Sequence, residues 1–235
     1  MRIFSIIIAF GLFLNASEYF AKLEPVETYN IKASTSGQVV YINNEIEGLN
    51  ANNSTIIKLD SSVDEIDLKQ TKNKIKTLGQ IIKIEKSTLK KILKIRAKSQ
   101  LDKDNQKIKV LNLENQLGDL VTKKAILEDK LDKKNLVEKS HYISNINVKV
   151  GDFVNAGTLL YTAEDLTKAK LEIFIPMSEA QNIKTKRIYI ENRVTDYKIN
   201  KIYKVADTKH ISSYKCEIII DAPKSFSRLV KIEFK

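Results

Sequence analysis

"VKVGDFVNAGTLL", residues Val148 to Leu160, is the stretch on which the fold turns. Gly151 and Gly157 bracket the apolar residues Val148, Val150, Phe153 and Val154, and Leu159 and Leu160 follow. Apolar alternation broken by glycine is the pattern of short strands joined by tight turns. This β-unit follows directly on a long stretch of quite different periodicity.

From Val63 to about Val137 the apolar residues recur every seventh position. Leu68, Ile75, Ile82 and Leu89 form one line, with Leu78 and Ile92 on a companion line that Thr71 and Glu85 interrupt. Leu113, Leu120 and Leu127 repeat the interval, flanked by Val110, Leu117 and Leu131, with Lys124 as the break. Sevenfold apolar spacing is the signature of a coiled coil. No proline lies between Pro25 and Pro176, so nothing interrupts helices there. Between the arms, "AKSQLDKDNQ" is polar and off-register. Two arrangements bury the seam: an antiparallel hairpin within the chain, or one long helix paired with another chain. The β-segments on either side favour the hairpin. An arm of about 35 residues would be roughly 50 Å long.

Before the helical stretch, "YNIKASTSGQVVYINNEIEGLNANNSTIIKLDSS" reads as strands around Gly37 and Gly48, ending at the helix-capping residues Asp60, Ser61 and Ser62 with Glu65 beyond. After it, "KLEIFIP", "KRIYIENRV", "YKINKIYKV", "YKCEIIIDA" and "VKIEFK" read as short strands of a small β-barrel, with "PMSEAQNI" as a turn or short helix.

Composition narrows the function. The formal net charge is +11, yet only five residues are arginine. Readers of nucleic acid lean on arginine for bidentate contacts, so no nucleic-acid partner is expected. "MRIFSIIIAFGLFLNA" has one early charge and an apolar run too short to span a bilayer. It reads as a signal peptide over 1–16, cleaved after Ala16, the alternative being a retained N-terminal anchor. Cys216 is the lone cysteine, so no intramolecular disulfide forms. His141 and His210 lack companions at metal-ligand spacing. No nucleophile elbow or phosphate-binding glycine loop is present. No enzymatic activity, metal or cofactor is therefore expected.

The β-stretches flanking the helices, "IEGLNANNSTIIKLD" and "KVGDFVNAGTLLYTAED", are similar to each other and look like the two halves of a biotinyl/lipoyl-type sandwich. "ASTSGQVVYI", "VKVGDFVNAGTLL" and "LEIFIPMSEAQNI", in that order, resemble the periplasmic adaptor proteins, also called the membrane fusion or haemolysin D-like (HlyD) family. The resemblance implies an α+β fold: a split lipoyl-like β domain over 26–62 and 138–165 with turn glycines Gly37, Gly48, Gly151 and Gly157, an antiparallel coiled-coil hairpin over 63–137, and a β-barrel over 166–235. It further implies an adaptor in the periplasm of a Gram-negative bacterium, a homo-oligomer bridging an inner-membrane transporter (ABC or proton-driven) and a TolC-type outer-membrane channel in efflux or secretion. Where family members carry an Arg, Leu and Ser docking motif at the hairpin tip, this chain offers Ile92, Lys94, Ser99 and Leu101. The place of the cofactor-carrying lysine of true lipoyl domains is taken by the hairpin. From Lys69 to Lys98 there are eleven Lys or Arg and one acid, Glu85. That arm is either a solvated face or a complement to an acidic channel rim. The rival expectation is an elongated structural protein of the cell envelope with no transport role.

Overall fold

A computed structural model of the chain describes residues 17–206 and 208–235. The expected signal peptide lies outside the described residues. The chain divides into two units, one formed by 30–163 and the other by 17–29 with 164–235. It is an α+β protein.

The first unit is built from two separated lengths of chain. Strand β3 (Gly37–Ile42) pairs antiparallel with β4 (Ser54–Leu59), and β4 pairs with β5 (Asn135–Glu138), which follows the helices. On its other edge β3 takes β7 (Phe153–Val154), so the sheet order is β5-β4-β3-β7. Strand β6 (Tyr142–Ile146) pairs with β8 (Leu159–Pro176). Backbone bonds stitch the halves further: Gly48 donates to the Ile143 carbonyl at 2.8 Å, Gly157 to Ala33 at 2.8 Å, and Gly151 to Val39 at 2.8 Å. The core is shared, with Val39, Ile56, Ile57 and Leu59 from the first length and Ile143, Val154 and Leu160 from the second. The β-unit that follows the helices therefore completes a unit begun before them. Gly151 and Gly157 sit at φ of 99° and 90°, where an L side chain is strained, and so set the turns read in the sequence. Gly37 is different. It opens β3, and a Cβ there would approach the Leu59 Cβ to 3.3 Å.

Helices α1 (Ser62–Lys94) and α2 (Gln100–Lys134) fill the expected helical stretch. Asp64 and Glu65 begin α1 and Lys91 and Lys94 end it, complementing the helix dipole. The helices run antiparallel. Lys72 meets Glu128 at 3.1 Å, and further along α1 Lys86 meets the earlier residue Glu114 at 2.6 Å.

In the second unit, β1 (Ser17–Lys22) pairs with β13 (Leu229–Phe234), which pairs with β9 (Ile188–Ile190), and β9 turns through Glu191 and Asn192 into β10 (Arg193–Val194). A second sheet runs β11 (Ile199–Ile202), β12 (Ser213–Asp221), β8 and β2 (Glu24–Lys32). Strands β2 and β8 contribute residues to both units. The core comprises Leu23, Leu171, Ile173, Ile175, Ile218, Ile232 and Phe234 among others.

The expected small β-barrel does not close among the described residues. β10 and β11 end their respective sheets, and no ladder joins them among the described residues. β10 has only two residues, and β11 shifts register between Ile199 and Lys201, so neither offers a straight run for pairing. β1 pairs with the last strand of the chain, and β8 runs unbroken from Leu159 to Pro176.

Candidate functional site

The helical pair carries most of the residues singled out in the sequence. Leu68, Ile75 and Leu89 are half-buried, Ile82 is buried, and all lie on the face of α1 turned toward α2. Leu113, Leu120 and Leu127 answer from α2, with Leu127 and Val110 buried. One interruption of the heptad pattern, Glu85, has partners across the pair. Gln106 donates to the Glu85 carboxylate at 2.7 Å, and Lys109 reaches the same group at 2.7 Å. Those hydrogen bonds, Lys109 first, hold Glu85 below the usual carboxylate range.

At the base of the seam stand two charges that the heptad pattern alone would read as breaks. Asp64 and Lys134 are both buried and bonded to each other. Lys130 donates to Asp64 at 2.7 Å, and Lys134 also donates to the Asp60 carbonyl at 2.7 Å. Burial would raise the Asp64 pKa, but the hydrogen bonds from Lys130 and Lys134 outweigh it and hold the carboxyl below its ordinary value. This cluster ties α1 and α2 to the end of β4. In sequence its only trace is an acid and a lysine at positions where leucine would be expected.

The other end of the pair holds the expected docking residues. Ile92 is half-buried in the seam, and Lys94, the last residue of α1, is exposed. Ser99 is the N-cap of α2: its hydroxyl accepts from the Asp102 backbone at 3.1 Å. Capping of this kind satisfies a helix donor that would otherwise lack a partner. Leu101 follows and is 70% exposed. Leu93 and Ile95 are exposed beside it, and neither was singled out in the sequence, where they look like ordinary members of an apolar helix. Lys90, Lys91, Lys94, Arg96 and Lys98 are all exposed around them. The tip is therefore a few bare aliphatic side chains among a majority of cations, with Asp102 paired to Lys98 at 3.8 Å. Such a surface suits a partner with an apolar contact and an acidic surround.

His141 lies 2.8 Å from the Glu138 carboxylate, and the His210 ring stacks on Phe174 with centroids 3.5 Å apart. Cys216 is buried, and burial pushes its thiol up to about 12. No helix among the described residues is long and apolar enough to cross a membrane.

No protein-family model matches the chain, and no curated protein matches it. Solved structures do. MacA from Actinobacillus actinomycetemcomitans superimposes with a TM-score of 0.75 at 16% identity, over 94% of this chain and 78% of that one. A MacA-MexA chimera carrying the Pseudomonas aeruginosa MexA α-hairpin domain gives 0.71 at 14% identity, over 94% and 80%. The membrane fusion protein Spr0693 from Streptococcus pneumoniae R6 gives 0.71 at 12% identity, over 93% and 98%. Likeness across 93–94% of this chain, at TM-scores of 0.71 to 0.75, gives this protein the fold of membrane fusion proteins.

Proposed function

We propose that the chain is the adaptor subunit of a tripartite efflux or secretion system, bridging an inner-membrane transporter and a TolC-type outer-membrane channel in the periplasm of a Gram-negative bacterium. The observation that carries this is the helical pair with its bare, cation-rich tip, set within a fold shared with membrane fusion proteins. In this reading 26–62 and 138–165 form the lipoyl-like domain and 63–137 the coiled-coil hairpin. The remaining strands, with Ser17–Lys22 added to 166–235, form the transporter-facing unit. Several copies assemble, and the aliphatic residues exposed along the hairpin, Ile66, Ile84, Ile108 and Ile126 among them, supply contacts between neighbours. The work is scaffolding rather than catalysis: heptad packing gives stiffness and the tip gives docking.

The test is photocrosslinking in cells of the parent organism from a benzoylphenylalanine in place of Leu101. That position is chosen because Ser99 is engaged as a helix cap, so changing it would disturb the tip itself. Recovery of an outer-membrane channel supports the adaptor. Recovery only of further copies of this chain, or of peptidoglycan-associated protein, supports the envelope scaffold instead.

A further inference from the structure

The gap between β10 and β11 is a cleft of 780 Å³ on the open side of the second unit. That volume falls within the roughly 300–1,000 Å³ common for small-molecule sites. Its floor is apolar: Ile183 and Ile188 are buried, and Ile199 and Ile202 are half-buried. Its rim is cationic. Lys184, Lys186, Arg187, Lys198 and Lys201 are all exposed there, and Asp196 is the single acid of the lining. None of the five cations makes an ion pair among the described residues, although Lys201 lies 4.4 Å from the centre of the Tyr203 ring.

Lysines on edge strands also keep sheets from pairing with one another. That role accounts for Lys201 on β11. It does not account for Lys184, Lys186 and Arg187, which precede β9 on a 3-10 turn and its exit. The exit is fixed by two backbone bonds between Arg187 and Lys235, at 2.7 and 3.1 Å. A second pair of bonds, from the Thr195 backbone and hydroxyl to the Ile188 carbonyl at 3.0 and 2.8 Å, ties the opposite wall to β9. The backbone that carries these cations is thus fixed around the isoleucine-floored cleft by the fold itself.

We propose that this cleft binds an anionic amphiphile, its apolar body on the isoleucine floor and its phosphate or carboxylate group among Lys184, Lys186 and Arg187. The proposal goes beyond the adaptor function and does not rest on it. The experiment is calorimetric titration of the whole chain with monomeric dodecyl phosphate, alongside dodecyl maltoside and inorganic phosphate. It is repeated on K186E/R187E and, as a charge-matched control away from both the cleft and the hairpin tip, on K123E/K149E. Thermal unfolding of each variant checks that it is folded. Losing two charge-assisted contacts should weaken dodecyl phosphate binding at least about tenfold in K186E/R187E and leave K123E/K149E unchanged. Equal binding of dodecyl maltoside, equal binding of inorganic phosphate, or equal weakening in both variants overturns it. Sedimentation with phosphatidylglycerol vesicles, lost in K186E/R187E, identifies the source as membrane lipid; binding of the monomer alone identifies it as a free amphiphile.

Discussion

Asp64 and Lys134 occupy seam positions where a coiled coil gains most from leucine, yet both are charged and buried. A paired buried charge adds little net stability, but removing one partner leaves the other uncompensated. Asp64→Asn strands Lys134 beneath the helices, with the Asp60 carbonyl as its remaining partner. Lys130 is 43% exposed and can turn to water, so the expected loss is about 2–3 kcal/mol, at or below the lower end for fully buried pairs. The pH dependence follows from the direction of the shift. The folded-state pKa of Asp64 lies below its unfolded value, so the stabilisation is fully present above the ordinary aspartate range, about pH 4, and is lost as pH falls through the folded value. Urea unfolding of wild type and Asp64→Asn should differ by a constant amount from pH 7 to about pH 5 and converge below pH 4. A difference unchanged down to pH 2 would mean that the carboxylate charge is not what stabilises the base.

Within the helical pair, polar residues set alignment and apolar ones set stability. Glu85 and Gln106 face each other across the seam, and a polar pair at one level costs stability while penalising a slipped register. Replacing both by leucine should raise the thermal midpoint by about 2–4 °C, as circular dichroism at 222 nm would record. A lowered midpoint would show that Lys109, deprived of Glu85, matters more than the added packing. The helices were legible in the sequence because the periodicity that marks them is local, and so was the glycine conformation at Gly151 and Gly157, where φ is positive. The pairing of Ser17–Lys22 with Leu229–Phe234 was not, since strands at opposite ends of a chain leave no mark on each other's composition. Ser99 was legible as a tip residue but not as a cap, because whether a serine caps depends on where the helix begins. The open side of the second unit was invisible for a similar reason: alternation announces strands, not whether the last of them meets the first.

At the scale of the whole molecule, the helices are an insertion at a point where the chain nearly closes on itself. Lys58 at the end of β4 is paired with Asn135 at the start of β5, so the two ends of the insertion lie on adjacent strands. No residue of α1 or α2 belongs to the core of the β-strands around them. Replacing 62–134 by a turn containing Asn-Gly, which suits a tight connection between antiparallel strands, should therefore leave the β-structure intact. The excised chain should lose the helical circular dichroism signal, because α1 and α2 are the only α-helices among the described residues, and should still unfold cooperatively. Aggregation or non-cooperative melting would mean that the Asp64–Lys134 base supports the β-structure as well as the helical pair. The same variant separates the two surfaces described above. Crosslinking to a channel depends on the tip and must vanish with it, whereas the cleft lined by Ile183, Arg187 and Ile199 lies wholly in the other unit and should keep its affinity for dodecyl phosphate.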